Sequence, residues 1–150
     1  MNASGKLCEA ERSASERRWC GPTALCAITG KSYAEMVQAI ETVRGKPFKS
    51  VAYLYELQAV LVKLGYRVRS ENLYLQKHLP TISQLVTRRT PVERQQFMLA
   101  LVTHHFVAIQ GDEICDSAYT QGAVKKFATL PVGSKWKRVK EYLYIEEVPA

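Results

Sequence analysis

Much of what would mark a special class of protein is scarce in this sequence. Its 150 residues include only 8 glycines and 6 prolines, which excludes a collagen-like or low-complexity chain. No apolar run approaches the ~18–20 residues that a membrane span requires, so no membrane partner is expected. Residues 1–18 are polar and charged and lack the apolar stretch of a secretory signal, and residues 1–17 read as a polar lead-in. A cytoplasmic protein is the resulting expectation. The four cysteines, Cys8, Cys20, Cys26 and Cys115, form no Cys-x-x-Cys pair and are too sparse for a disulfide scaffold, so reduced thiols are expected. One stretch lacks charge of one sign. Residues 117–140 hold no acidic residue but six basic ones: Lys125, Lys126, Lys135, Lys137, Arg138 and Lys140. Such a stretch suits an acidic partner, nucleic acid, or a plain solvated face. No aromatic-interleaved RNA motif or zinc-finger spacing accompanies it, so nucleic acid is the weaker reading.

What is present is apolar material at regular spacing. Hydrophobic residues make up 47% of the chain, which excludes a disordered tail and provides a core for one domain over residues 1–150. Thr23 to Ile28 follows Cys-Gly-Pro and is apolar all round, so it predicts a buried helix with Pro22 at its first position and Gly30 at its stop. Ser32 and Glu35 make a capping box, and Tyr33, Met36, Val37, Ile40 and Val43 recur at helical spacing up to Gly45. A third helix is expected from Ser50 to Gly65, with Val51, Leu54, Leu57, Leu61 and Leu64 on one face. Tyr66 to Arg69 alternates as a strand, and Thr81 caps a short helix through Thr87. Phe97 to Val102, His105 to Ile109, Ile114 to Ser117 and Arg138 to Ile145 read as strands, with a turn at Gln110-Gly111-Asp112-Glu113. Helices first and an antiparallel sheet after them define an α+β chain.

Three residues carry chemistry. Cys20 lies at the start of the buried helix, where free N–H groups and the helix dipole favour a thiolate. A free cysteine is more often a small buried hydrophobe, and Cys26, inside the same helix, fits that description. If Gly111 and Asp112 form the turn, Gln110 pairs with Glu113 and Val107 with Asp116. Asp116 then shares a face with Val107 and His105, as a diagonal neighbour of the imidazole. His104 points to the other face, with Phe106 and Cys115. A carboxylate beside an imidazole fixes its tautomer and stabilises the imidazolium. Register therefore selects His105 over His104.

Trp19-Cys20-Gly21-Pro22-Thr23-Ala24-Leu25, His105-Phe106-Val107-Ala108-Ile109 and Cys115-Asp116-Ser117 together resemble the papain-like cysteine peptidases. The likeness is to the small bacterial and phage-encoded, bacteriocin-processing-like branch. It spans Trp19 to Ser117 in element order and is tight only at the two motifs. The resemblance implies a papain-like α+β fold, with the nucleophile helix packed on a C-terminal antiparallel sheet. It implies Cys20 as nucleophile, His105 as general base and then acid, and Asp116 as its orienting group. The family usually carries a Gln about six residues before the cysteine, which donates to the oxyanion. Here that position is Ala14, among Ser13, Ser15, Glu16 and Arg17. The Cys20 backbone N–H suits the same task, with Ser15 or Arg17 as a second donor.

The expected activity is cleavage of a peptide, isopeptide or side-chain amide bond through a thioacyl intermediate, on a protein or peptide substrate of acidic character. A protein glutamine deamidase shares that chemistry. The lack of an obvious propeptide favours a specific, non-degradative role. A non-catalytic binding protein on a papain-like frame is a third reading, favoured by Ala14 and disfavoured by the intact Cys20, His105 and Asp116. Zinc is a fourth, since Cys20, Cys26, His104, His105 and Cys115 are ligand types. Their spacings match no common zinc pattern, so neither metal nor organic cofactor is expected.

Overall fold

A computed structural model describes residues 5–10, 19–49, 51–73, 75–131, 133 and 137–148. Three helices come first: α1 (Cys20–Thr29), α2 (Tyr33–Arg44) and α3 (Leu54–Lys63). Strand β1 (Tyr66–Asn72), helices α4 (Ile82–Arg88) and α5 (Pro91–Gln95), and strands β2 (Phe97–Val102), β3 (His105–Gln110), β4 (Glu113–Cys115), β5 (Lys125–Lys126) and β6 (Glu141–Glu147) follow. The expected α+β class is observed.

Helix α1 begins earlier than the sequence predicts. Cys20 is its first residue and Pro22 its third, with Trp19 as N-cap. Pro22 still forfeits nothing, because the first amide with an intrahelical acceptor is Thr23, which donates to the Trp19 carbonyl at 3.2 Å. Gly30 ends the helix at φ 74°, a left-handed conformation that glycine adopts without steric cost. Every residue from Gly21 to Thr29 is buried. Ser32 caps α2 as expected, accepting from the Glu35 N–H at 3.2 Å. Helix α3 starts at Leu54 rather than near Ser50, which lies outside the described residues. Val51 is 59% exposed and precedes the helix. The start is set by Glu56, whose carboxylate accepts from the Tyr53 N–H at 2.9 Å.

The strands form one antiparallel sheet in the order β1-β6-β2-β3-β4-β5. Strand β6 lies between β1 and β2, and pairing with both fixes its bounds at Glu141–Glu147, shifted from the expected Arg138–Ile145. Strand β4 ends at Cys115, before Asp116 and Ser117, because the chain turns there. The predicted hairpin register holds: Gln110 faces Glu113 across Gly111, whose φ is 60°. Side chains alternate between two cores. Phe97, Leu99, Phe106, Ala108, Leu143 and Ile145 pack under the α1–α3 layer. Met98, Ala100, Val102, Val107, Ile109 and Tyr144 pack on the other face with α4. Coverage of both faces explains why β2 reads as an unbroken apolar run. No helix among the described residues is long and apolar enough to cross a membrane.

One buried ion pair braces the segment that leads into α3. The Arg44 guanidinium holds both Glu56 oxygens at 2.7 Å and also donates to the Val51 carbonyl at 2.6 Å. Its hydrogen bond, working against burial, keeps the Glu56 carboxyl below the usual carboxylate range. Glu56→Gln leaves Arg44 charged and poorly paired, and is expected to cost about 2 kcal/mol in urea unfolding at pH 7. Because the folded-state pKa is depressed, that contribution is present above the unfolded value of ~4.3. It is lost as pH falls through the folded value, so the gap between wild type and variant should close in acid.

Candidate active site

The start of α1, the start of β3 and the loop after β4 converge at one end of the sheet. Cys20 is held there from both sides. The Trp19 N–H donates to the Tyr33 hydroxyl at 2.9 Å, and Thr23 Oγ1 donates to the Trp19 carbonyl at 2.8 Å. Gly21 is required by close approach, since a Cβ there would stand 2.8 Å from the Ala52 Cβ. The first turn of α1 thus lies directly against the segment before α3.

His105 opens β3. Its register belongs with Val107 and Asp116, while its position at the strand end lets the first turn of α1 reach the ring. Nε2 lies 2.6 Å from Asp116 Oδ2. The Cys20 thiol also acts on the ring, by hydrogen bonding and by charge. Asp116 is fully buried, and both its oxygens are satisfied by backbone: Oδ1 accepts from the Thr120 N–H at 2.8 Å and Oδ2 from the Tyr119 N–H at 3.1 Å. The Thr120 hydroxyl closes the loop, accepting from the Asp116 N–H at 3.0 Å. The Tyr119 ring sits edge-on to His105, with centroids 5.2 Å apart.

Electrostatics follow from this geometry. Burial pulls the His105 pKa down, but hydrogen bonds and charge attraction from Asp116 and Cys20 outweigh it and raise the value to about 9. Burial pushes the Cys20 thiol up, but the His105 hydrogen bond, the Phe106 N–H and the imidazolium charge outweigh that and lower it. The ring is therefore an imidazolium near neutral pH, and its shift and that of Cys20 both favour a thiolate beside it. Cys8 and Cys115 behave oppositely. Burial raises Cys8, and raises Cys115 to about 11.

All four cysteines are free. Cys26 is buried in the helix-side core, and the Cys115 thiol donates to the Gly122 carbonyl at 3.4 Å. Among the described residues no three His, Cys, Asp or Glu side chains converge as metal ligands. His104 does not sit on the Phe106 face of the strand. It is an exposed residue of the two-residue turn between β2 and β3, at φ 54°, because Val102 pairs with His105. Ala14 and its neighbours Ser13, Ser15, Glu16 and Arg17 lie outside the described residues.

A groove of about 450 Å3 opens beside Cys20. Ala52, Leu54, Leu101 and Phe106 contribute apolar surface, and Tyr53 and Tyr55 stand along it. Of the cations in residues 117–140, Lys140 lines the groove. Lys125 and Lys126 lie on β5, where Lys126 pairs with Asp112 at 3.2 Å, and Arg138 donates to the Leu79 carbonyl at 2.7 Å. Lys135 lies outside the described residues. The groove and the Tyr119–Thr120 support were missed in the sequence. Asp116 followed four residues later by Thr120 was a legible loop signal for the second of these.

Helices followed by a six-stranded antiparallel sheet give an α+β architecture consistent with a papain-like peptidase domain. Among solved structures the chain is similar to the peptidase domain of Streptococcus ComA, described as a bi-functional ABC transporter involved in a quorum sensing pathway. The likeness has a TM-score of 0.54 at 13% sequence identity and covers 95% of this chain and 98% of that one. No protein-family model and no curated protein matches the chain.

Proposed function

We propose that the protein is a papain-like thiol peptidase and that residues 1–150 form one peptidase domain. The small, bacteriocin-processing-like branch is the one its motifs resemble. The observation that carries this reading is His105 Nε2 at 2.6 Å from the fully buried Asp116 carboxylate, on a ring whose hydrogen bonding and charge also lower the Cys20 thiol. The Cys20 thiolate attacks the scissile carbonyl, and the first-turn amides of α1, including its own N–H, stabilise the oxyanion. His105 then passes its proton to the leaving amine, leaving a thioacyl enzyme. Water, deprotonated by His105, releases the acid and restores the thiol. Asp116 holds the ring in place. Metal and organic cofactors have no part in this scheme, and the partner is a protein or peptide.

The test is incubation of purified protein with a peptide library, read by mass spectrometry for new termini and for mass gain at glutamine. New termini that disappear in Cys20→Ala are expected. Glutamine hydrolysis without chain cleavage would assign the thiol to deamidation. Absence of both, with Cys20 no more reactive than an ordinary thiol, would leave a binding protein.

A further inference from the structure

Tyr53 and Tyr55 are 56% and 68% exposed, and their rings stack at 5.8 Å with an interplanar angle of 11°. Large aromatics left in water side by side lack the burial that normally accounts for them. Their position gives the reason. Together with the exposed Val51 they wall two depressions at once. One is the groove beside Cys20, and the other is a hollow of about 500 Å3 on the far side. The pair is therefore a ridge between the nucleophile's groove and a neighbouring hollow.

The two depressions differ in charge. The groove carries one cation and one anion, Lys140 and Glu141. The hollow carries Arg44, Lys46, Lys49 and Glu56. Arg44 and Glu56 are consumed by each other in their two-point ion pair. The nearby Glu41 carboxylate accepts from the Phe48 N–H at 2.8 Å and does not line the hollow. Lys46 and Lys49 are exposed and make no ion pair with any described residue. The hollow's lining thus holds two more cations than acids, across an aromatic ridge from the thiol.

We infer that the substrate is an acidic peptide that crosses the Tyr53–Tyr55 ridge and presents a carboxylate to Lys46 and Lys49. This deepens, and rests on, the peptidase reading. The ridge offers flat apolar area to an extended chain, and about two extended residues at ~3.3 Å each span the two rings. The lysines select a carboxylate by charge, mainly by favouring binding rather than the chemical step. Acidic preference thus arises at the α2–α3 connection rather than on β5, where Lys126 is already paired with Asp112.

The test is a set of fluorescent peptides with one Asp, or its Asn twin, moved stepwise along each side of the cleaved bond. Cleavage and equilibrium binding are both measured. At one short run of positions Asp should exceed Asn by about 2- to 5-fold in kcat/KM, through KM, and in affinity, the size expected for exposed charges. In the double variant Lys46→Glu, Lys49→Glu that ratio should fall to one or below, and in wild type it should shrink as salt rises. A flat Asp profile in both measurements, or a ratio unchanged in the double variant, overturns the proposal. If no peptide is cleaved, the peptidase reading falls, while an Asp preference in binding that vanishes in the double variant still supports the subsite. A single-stranded oligonucleotide that binds through the same residues while Asp peptides do not would assign the ridge to base stacking and overturn the proposal.

Discussion

Iodoacetamide at pH 7 should alkylate Cys20 first among the four thiols, at least about 10-fold faster than Cys115. The argument is one of thiolate fraction against intrinsic nucleophilicity. Cys115, raised to about 11 by burial, lies four pH units above the assay, so only ~1 in 10,000 of its molecules is ionised. Cys20 is lowered by His105 and by the Phe106 N–H, so its ionised fraction is far larger. A lower pKa also makes a weaker nucleophile, with a Brønsted slope of ~0.4–0.5, which returns roughly half of the logarithmic gain. With Cys20 counted only as below the ordinary thiol range, at least about one power of ten remains, and burial of Cys115 adds to it. Mass spectrometry of digested protein at timed quenches reads all four sites together. Equal rates at Cys20 and at Cys8, whose thiol burial also raises, would show that no thiolate is stabilised at the start of α1.

What the sequence made legible was local. The Ser32 cap, the Gly111 turn and the two-residue alternation of β3 each involve neighbours in the chain and stand as expected, although the Glu35 carboxylate accepts from the Ser32 hydroxyl rather than completing the reciprocal capping box. Helix α5 was equally local and was overlooked. Thr90, Pro91 and Glu93 are a capping box with proline at the first position, and the Glu93 N–H donates to Thr90 Oγ1 at 3.2 Å. Sheet order was not legible, because the insertion of β6 between β1 and β2 is a long-range choice. The alternation of Tyr66 to Arg69 does not state which strand it will meet, and pairing with β6 extends β1 to Asn72. The same limit applied at the site. His105 and Asp116 lie eleven residues apart in one hairpin, and counting residues brings them together. Cys20 meets them only through packing of α1 on β3. Val51 to Tyr55 joins the site for a different reason, because Gly21 admits Ala52. A helical pattern absorbed Val51, Leu54 and Leu57 into one face and hid the two tyrosines standing off it.

His105→Ala should lower turnover by about 100- to 10,000-fold, the range for loss of a general acid–base group. It should also slow Cys20 alkylation at pH 6–7, because burial then acts on the thiol without the imidazolium to oppose it. The matched control is His104→Asn rather than His104→Ala. His104 sits at φ 54°, where asparagine is tolerated and alanine is strained by roughly 1–2 kcal/mol. Near-wild-type activity is expected from the control, and equal losses in both variants would refute the assignment. Asp116→Asn tests the third position more severely than its size suggests. Both carboxylate oxygens accept backbone N–H groups, from Thr120 and Tyr119, and Oδ2 also meets His105 Nε2. An amide must turn its NH2 toward one of those donors in either orientation, so it loses a hydrogen bond as well as the charge. The charge sets the pH profile. With Asp116 present, the imidazolium persists to about pH 9, and activity should decline above that value. Without it the largest force raising His105 is gone, while burial still pulls the pKa down, so the falling limb of kcat/KM should move to lower pH. A limb that stays near 9 in Asp116→Asn would show that another group holds the proton.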